Sequence, residues 1–310
     1  MNLKLRGLEI FRLFSQTENV TETARLLRIS QPAVSQVLRE FEDEVGLPLF
    51  KRTGRQLHLT AEARLLLPEV ERLISQLDKV RNHALGLREG QGGSLAVASI
   101  PTLAHSILPL CIAKFRSYKP HVRLHVGCYT ATEISRQVKL DSADVGITFL
   151  PINETGVRTE PLLRTAITCL VANSSPLSRA RIITPSDLRD QCVIAQGAKT
   201  PPGYVLRNYF QNAGLQDWPT LEVNQSTISL HLAEQEIGIA LSHPLVLSTV
   251  SVGKVSAVPF SPEIPLTLAI VYPRDREPSV HVSGFVDILR KKLGEISGGL
   301  TARGLPCKLL

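Results

Sequence analysis

The chain has 310 residues, of which 43% are hydrophobic and 20% are charged, and its formal net charge at pH 7 is +7. This length and apolar content indicate two or three globular domains and exclude a largely disordered chain. The positive balance suits a polyanionic partner, although it also fits many other proteins. The sequence shows no apolar run of membrane-spanning length and starts with a helix-forming segment instead of a signal peptide, so we expect a cytoplasmic protein.

Two short amphipathic helices are predicted first. Apolar residues recur at helical spacing across residues 5–17, with charged residues between them. A second helix of about two turns begins with Thr21 as its candidate N-cap and ends near Ile29. A short helix of this kind, followed at once by a third helix, is typical of a helix-turn-helix.

The third predicted helix begins after Ser30, which is a candidate N-cap, and Pro32 fits its first turn. Its apolar residues fall on one stripe and leave a second, polar face. Glutamine bonds adenine edges, serine bonds either base type, and arginine bonds guanine or phosphate, from a helix that fits the major groove. The candidate DNA-contacting residues are Gln31, Pro32, Ala33, Ser35, Gln36 and Arg39. An ordinary solvated helix face is the alternative.

A basic hairpin is predicted over residues 49–60, with its turn at Thr53 and Gly54. Its candidate phosphate or minor-groove contacts are Lys51, Arg52 and Arg55. Acidic residues, including Glu42, cluster toward the far end of the third helix, and we expect them to point away from DNA. The helices and the hairpin together predict a winged helix-turn-helix that reads double-stranded DNA.

The segment from Glu18 to Thr60 resembles the LysR-type transcriptional regulators. The resemblance is carried by SQPAVS at the start of the third helix, by FEDEVGLPLF at its exit and by a hairpin that ends at a helix-starting Thr60. It continues through nearly all of the chain. It implies an α/β protein with an N-terminal winged helix-turn-helix, a long linker helix and a two-lobed effector domain similar to periplasmic binding proteins. It also implies binding to promoter DNA, where RNA polymerase is a further candidate partner.

A long helix is predicted from Thr60 to about Glu89, with apolar residues that alternate by four and three positions. The candidate dimerisation residues on this seam are Leu66, Val70, Leu73, Leu77 and Val80. A helix that packs only on its own domain is the alternative. A homodimer would match a pseudo-palindromic site by its two-fold symmetry, and the resemblance implies that two such dimers form a homotetramer.

Alternating strands and helices follow a glycine-containing hinge at residues 90–93 and predict parallel sheets covered by helices. We therefore expect a DNA-binding domain at residues 1–60, a linker helix and hinge at 61–91, and an effector domain at 92–310. The effector domain is expected to have a first lobe of residues 92–164 and 266–310 and a second lobe of residues 165–265. The tail from residue 298 is polar and glycine-bearing, and we expect it to fray.

Candidate effector-binding residues lie where strands end and helices begin. Hydroxyls and free backbone N–H groups at such positions suit a carboxylate. The resemblance implies pocket positions at Ser99, Thr102, Thr130, Phe149, Thr200 and Thr227. Their chemistry adds Lys199, Gln225 and His243. For each residue taken alone, helix capping or packing is the alternative role.

These features predict a ligand-responsive transcription factor whose lobes close on a small carboxylate. The run SLAVASIPTLAHSILPLCIAKFR resembles the amino-acid and opine branch of the family, which implies an amino acid or a derivative as effector. An aromatic or dicarboxylic catabolite is the alternative effector. The operator, the target genes and the direction of regulation do not follow from the sequence.

An enzyme and a solute-capturing protein are the alternatives outside this class. The sequence lacks GxSxG, HExxH, a Walker lysine loop and a strand-to-helix GxGxxG, so we expect no catalytic residues and no cofactor beyond the effector. The five cysteines form no CxxC pair, and histidines near Cys128 are more typical of packing than of a metal site. The missing export signal argues against a secreted binding protein.

Overall fold

The computed structural model describes residues 3–54, 56–88, 93–215, 219–249 and 253–310. The chain divides into two compact units, one formed by Met1–Leu85 with Leu140–Ser142 and the other by Gly86–Lys139 with Ala143–Leu310. Each unit has its own apolar core. None of the helices in the described ranges combines the length and apolarity that crossing a bilayer requires.

The first unit is a helical domain with a two-stranded hairpin. Its elements are α1 (Leu5–Thr17), α2 (Val20–Leu27), α3 (Gln31–Val45), β1 (Phe50–Thr53), β2 (Gln56–Leu59) and α4 (Ala61–Arg88). Phe11, Phe14 and Phe41 are fully buried, and the ring centroids of Phe11 and Phe41 lie 5.1 Å apart. These aromatic contacts join α1 to α3 and so give α3 a fixed support.

Asn19 and Ser30 begin the two helices of the helix-turn-helix. Asn19 Oδ1 accepts the backbone N–H groups of Thr21 and Glu22 at 2.9 and 3.1 Å. The prediction of Thr21 as N-cap is therefore wrong, because extended Asn19 satisfies these donors and Thr21 lies inside α2. Ser30 Oγ accepts the backbone N–H of Ala33 at 3.4 Å, so α3 begins where the sequence predicts.

The predicted dimerisation seam on α4 divides between two environments. Val70 is only 3% exposed in the core of its own unit, and half-buried Leu66 packs against the same core. Leu73 and Val80 are 52% and 65% exposed, with half-buried Leu77 between them. The heptad spacing does not separate these roles, because an apolar stripe fits its own domain as well as a second copy.

The second unit contains two sheets with helices packed on them. Its strands are β3 (Ser94–Ser99), β4 (Arg123–Cys128), β5 (Val145–Phe149), β6 (Val157–Ala166), β7 (Thr168–Ala172), β8 (Val193–Gln196), β9 (Leu221–Val223), β10 (Ile239–Ser242), β11 (Val255–Pro259), β12 (Pro265–Pro273) and β13 (Cys307–Leu309). Its α-helices are α5 (Pro101–His105), α6 (Ile107–Tyr118), α7 (Ala131–Lys139), α8 (Pro201–Asn212), α9 (Ser226–Glu234) and α10 (Val280–Ala302).

Each sheet defines one lobe. The strand order is β13-β6-β12-β5-β3-β4 in the first lobe and β11-β7-β10-β8-β9 in the second. The sheets are mixed, because β3 pairs in parallel with β4 and β5, and β8 with β9 and β10, whereas β6, β7, β11 and β12 pair antiparallel. The chain leaves the first lobe between Ala166 and Thr168 and returns to it between Pro259 and Pro265. The sequence predicted these two crossings at residues 165 and 266.

The C-terminal tail is well structured, and the prediction that it frays is wrong. Helix α10 continues to Ala302, and β13 pairs with β6 so that Leu309 lies opposite Leu163. The hydroxyl groups of Ser297 and Thr301 both donate to the carbonyl of Cys307, at 2.9 and 2.6 Å. The polar tail therefore turns back along the helix and adds a strand to the edge of the first sheet.

Candidate functional site

The polar face of α3 and the hairpin border one groove in the first unit. The groove has a volume of about 550 Å³. Its lining includes Gln31, Ser35 and Arg39 from α3 and Arg52 from β1, all of which the sequence predicts as DNA contacts. Amide, hydroxyl and guanidinium groups on a helix and a hairpin can together bond base edges and phosphates.

Four other predicted DNA contacts are not part of the lining of this groove. Pro32, Gln36 and Lys51 are exposed, and Ala33 is half-buried. Gln36 Nε2 donates to Glu40 Oε1 at 3.0 Å along the same helix. Arg55 lies outside the described residues.

Glu18 connects the hairpin to α1 and α4. It was not predicted from the sequence as a functional residue. It ends α1 in the left-handed region, with a φ of 42°. Its Oε2 accepts a hydrogen bond from His58 Nδ1 on β2 at 2.9 Å, and its Oε1 accepts one from Arg64 on α4 at 2.8 Å. These hydrogen bonds, above all that with His58, hold the pKa of Glu18 below its ordinary value. The carboxylate therefore ties together α1, the hairpin and the start of α4.

Glu42 holds the chain where α3 leads into the hairpin. Its Oε1 accepts the backbone N–H groups of Leu49 and Phe50 at 2.7 and 2.9 Å. Glu42 also lines the groove beside Arg39. It therefore does not lie on a remote acidic end of the helix, because two backbone donors at the start of β1 hold its carboxylate in place.

A cavity of about 410 Å³ lies between the two lobes of the second unit. The starts of α5, α8 and α9 and the ends of β5 and β8 surround it. Seven of the nine predicted effector-binding residues line it, namely Thr102, Thr130, Phe149, Lys199, Thr200, Gln225 and His243. A cavity of this size accommodates a small organic molecule.

Two predicted effector contacts lie outside the lining of this cavity. Ser99 is fully buried at the end of β3, where its Oγ donates to the carbonyl of Ile100 at 3.4 Å. Thr227 follows Ser226 in α9, and each helical step turns the side chain by about 100°. Ser226 therefore lines the cavity in place of Thr227.

The cavity also contains residues outside the nine that were singled out from the sequence. They are Ile100, Pro101, Cys128, Tyr129, Ala131, Thr148, Gln196, Pro201, Pro202, Asn224 and Ser226. Most of them are adjacent in sequence to a predicted residue. The sequence feature that they share is a position at the end of a strand or the start of a helix. Gln196 shares this feature, because it ends strand β8, whose other residues are all apolar.

Three buried side chains form a hydrogen-bonded chain in the wall of the cavity. Thr102 Oγ1 lies 3.0 Å from Ser226 Oγ, which lies 3.0 Å from His243 Nε2. The ring of His243 packs on Phe149, with centroids 4.6 Å apart. Burial lowers the pKa of His243 to about 3, so its imidazole is neutral near pH 7. The chain is therefore uncharged, and it joins the first lobe to the second.

Positive charge is confined to the mouth of the cavity. Lys199 is exposed and is the only side chain with a formal charge among the described residues that line the cavity. Helix α9 begins beside it with Gln225 as N-cap, and that side chain makes no capping hydrogen bond. The first-turn N–H groups of α9 and the ammonium group of Lys199 can both attract a carboxylate.

The described residues form no metal-binding cluster, and the most deeply buried cysteines are not reactive thiols. No group of three or more histidine, cysteine or acidic side chains in the described residues could hold a metal ion. Burial raises the pKa of the Cys111 thiol to about 12 and also raises that of Cys169, so both thiols stay protonated. The groove and the interlobe cavity are the candidate functional sites.

Two family models account for most of the chain. Residues 5–64 match the model described as "Bacterial regulatory helix-turn-helix protein, lysR family", and residues 88–294 match "LysR substrate binding domain". The groove thus lies in the segment that matches the helix-turn-helix model, and the cavity lies in the segment that matches the substrate-binding model. The chain belongs to the LysR family of transcriptional regulators.

Two curated relatives show how far the similarity extends. Regulatory protein NocR of Agrobacterium fabrum is 30% identical over 289 residues, which cover 91% of this chain and 94% of NocR. The octopine catabolism/uptake operon regulatory protein OccR of Rhizobium meliloti is 29% identical over 242 residues, which cover 78% of this chain and 80% of OccR. The prediction of a DNA-binding regulator, and not of an enzyme, is confirmed.

The fold is similar to that of CbnR, a LysR family transcriptional regulator of known crystal structure. The match has a TM-score of 0.70 at 17% identity and covers 94% of this chain and 99% of CbnR. Full-length CbnR in complex with its target DNA matches with a TM-score of 0.68, covering 94% of this chain and 100% of that one. The predicted architecture, with a helix-turn-helix domain before an α/β effector-binding domain, is confirmed.

Proposed function

We propose that this LysR-type regulator binds a pseudo-palindromic promoter site as a homodimer or homotetramer, with the polar face of α3 in the major groove. The groove supports this, because Gln31, Ser35 and Arg52 border it together. Exposed Leu73 and Val80 on α4 support pairing with a second copy, since such apolar side chains gain from being covered. Contact with RNA polymerase at the promoter is part of the same proposal.

We also propose that a small carboxylate, an amino acid or a derivative of one, modulates this DNA binding from the interlobe cavity. The observation that carries the proposal is the cavity of about 410 Å³, with Lys199 and the start of α9 at its mouth. The similarity to OccR, whose name includes octopine, supports an amino-acid derivative. A ligand held by both lobes favours one lobe arrangement, and that preference can bias how the DNA-binding domains are presented.

A thermal-shift screen of the full-length protein tests the effector class. The compounds are the standard amino acids and octopine, compared with aromatic carboxylates such as benzoate and dicarboxylates such as succinate. We expect at least one amino acid or octopine to raise Tm, because a ligand at a hundredfold its Kd stabilises the folded state by about 2.7 kcal/mol. Stabilisation by an aromatic or dicarboxylic compound alone would establish the alternative effector and refute this one.

Sequencing of the DNA that is recovered with the protein from cells tests the promoter site. We expect enriched fragments to share an inverted repeat, because the two copies of a dimer present α3 in two-fold symmetry. Fragments with a single unrepeated half-site would contradict the proposed dimeric reading.

A further inference from the structure

The side chains that line the interlobe cavity differ in solvent exposure between its mouth and its buried end. Thr130, Lys199 and Gln225 at the mouth are exposed. The buried end, which we call the inner end, is formed by Thr102, Phe149, Gln196, Ser226 and His243. Each of these five side chains is at most 9% exposed. A ligand that fills the cavity therefore has one end exposed to solvent near Lys199. Its other end is dehydrated at the inner end of the cavity.

Hydrogen bonds at the inner end leave donors and acceptors to be satisfied. Gln196 Oε1 is buried and has no hydrogen-bond partner among the described residues. Ser226 has one hydroxyl proton and lies between Thr102 and His243. When His243 carries its proton on Nε2, that N–H donates to Ser226, Ser226 donates to Thr102, and the Thr102 proton is left for another acceptor. In this tautomer the buried acceptors without a partner among the described residues are Gln196 Oε1 and His243 Nδ1, and the Thr102 hydroxyl is the donor that remains.

No formal charge accompanies these groups. The described side chains of the inner end are a threonine, an aromatic ring, an amide, a serine and an imidazole, and burial keeps that imidazole neutral. A carboxylate or an ammonium group placed there would lose its hydration and find no opposite charge. The desolvation of an uncharged polar group costs much less free energy. Hydrogen bonds to the protein can replace the hydrogen bonds that the group made to water.

We propose that the inner end selects an uncharged hydrogen-bonding group, such as a primary amide, on an effector whose carboxylate stays at the mouth near Lys199. The amide N–H donates to Gln196 Oε1, and the amide carbonyl accepts the hydroxyl proton of Thr102. Gln196 and Thr102 are therefore specificity-determining residues. The inference rests on the proposed binding of an amino acid or derivative in this cavity.

Isothermal titration of the full-length protein with matched pairs of compounds tests the inference. The pairs are L-glutamine with L-glutamate, L-asparagine with L-aspartate, and succinamate with succinate, which differ only by an amide in place of a carboxylate. We expect the amide member of at least one pair to bind ten times more tightly than its acid, a difference of about 1.4 kcal/mol. Equal or tighter binding of the acids would overturn the inference and leave the proposed function standing.

A failure of every pair member to bind also overturns the inference. The proposed function falls with it only when the wider screen of amino acids and octopine finds no ligand either. The two failures are therefore distinguishable.

Two variants assign the selectivity to the inner end. Gln196→Leu and Thr102→Val remove the acceptor and the donor with little change of volume, and each should reduce the preference for the amide to within threefold. Gln211→Leu makes the same exchange as the first variant at an exposed position near the end of α8 and should keep the full preference. A cooperative melting transition and retained DNA binding identify the variants that fold. Full amide preference in both folded inner-end variants would refute the assigned roles.

Discussion

The side-chain oxygens of Thr102 and Ser226 lie 3.0 Å apart, and this hydrogen bond links a helix of the first lobe to a helix of the second. Ser226 continues the link to His243, which packs on Phe149 of the first lobe. The lobes therefore touch directly at the buried end of the cavity.

Thr102 and Ser226 are expected to be energetically coupled. Ser226→Ala removes the partner of His243 Nε2 and of the Thr102 hydroxyl, and it should cost about 1 to 3 kcal/mol of stability in urea titrations. A double-mutant cycle with Thr102→Val should give a coupling of about 0.5 kcal/mol or more. Ser229→Ala is the control, because Ser229 is equally buried in α9 but bonds only its own helix. Additive losses for Thr102 and Ser226 would show that the contact does not join the lobes.

The DNA-reading residues should separate into two kinds. Gln31→Ala and Ser35→Ala should each reduce discrimination between operator and random DNA by about 1 to 3 kcal/mol, because base-edge contacts carry sequence information. Arg52→Ala should weaken binding to both DNAs and lower the slope of log K against log salt by about 1. Anisotropy titrations at several salt concentrations measure both effects, with exposed Arg189→Ala in the second unit as control. The same loss for all three variants on both DNAs would contradict these roles.

Glu18→Gln should weaken DNA binding without changing base preference, because Glu18 positions the hairpin through His58 and does not itself read DNA. The stability loss should be about 1 kcal/mol or less, since the ion pairs are partly exposed. The folded pKa of Glu18 lies below the unfolded value, so its contribution is present above the ordinary pKa of about 4.5 and is lost as the pH falls through the folded pKa.

The Tm difference between wild type and Glu18→Gln should therefore still be present at pH 5.5 and shrink in more acidic buffer. Glu62→Gln, an exposed carboxylate on α4, is the control and should change neither binding nor melting. A changed base preference in Glu18→Gln would mean that Glu18 takes part in reading the sequence.

His243 should make the protein acid-sensitive. Its folded pKa of about 3 lies below the unfolded value of 6.5, so the unfolded chain binds an extra proton between these values and stability falls as the pH falls. This one group should cost about 2 kcal/mol between pH 7 and pH 5. Urea titrations should show that His243→Gln, which keeps a donor toward Ser226, loses less stability than wild type over this range. Parallel pH dependence of the two proteins would mean that His243 is not held neutral.

The exposed apolar residues of α4 should control self-association. Leu73→Glu places a charge on the proposed pairing face and should shift the protein toward monomer in light-scattering chromatography. Val70→Ala should instead lower stability by about 1 to 3 kcal/mol and leave the oligomeric state unchanged, because Val70 belongs to the core of its own unit. Ile182→Glu, at a 49% exposed position in the second unit, is the control. An unchanged mass for Leu73→Glu would remove α4 from the proposed interface.

Local chemistry explains what the sequence predicted well. The start of α3 follows from Ser30 and Pro32, since a cap acts over three residues. Contacts between distant residues carry no such signal, and Glu18 bonds His58 from 40 positions away. Strand β6 escaped prediction because charged residues and a proline interrupt its apolar pattern.

The residue-level errors in the cavity have a different origin. A pocket position inferred from a family resemblance can be wrong by one residue. In a helix, a shift of one residue turns the side chain away from the cavity, and for this reason Ser226 lines it where Thr227 was predicted. Gln196 was not among the nine residues singled out, because a polar side chain at the end of an apolar strand does not by itself mark a ligand contact. Its importance depends on the neighbouring strands and the second lobe, which only the folded chain brings together.

Strand β12 lies between β5 and β6 in the first sheet, yet it is synthesised after the entire second lobe. During synthesis, the edges of β5 and β6 that pair with β12 therefore stay unpaired until residues 265–273 have been made. The helix-turn-helix leaves the ribosome well before that point. A nonsense codon that falls after α4 and before residue 265 would release a DNA-binding unit without a complete effector domain. Such a product would occupy promoters without responding to any metabolite.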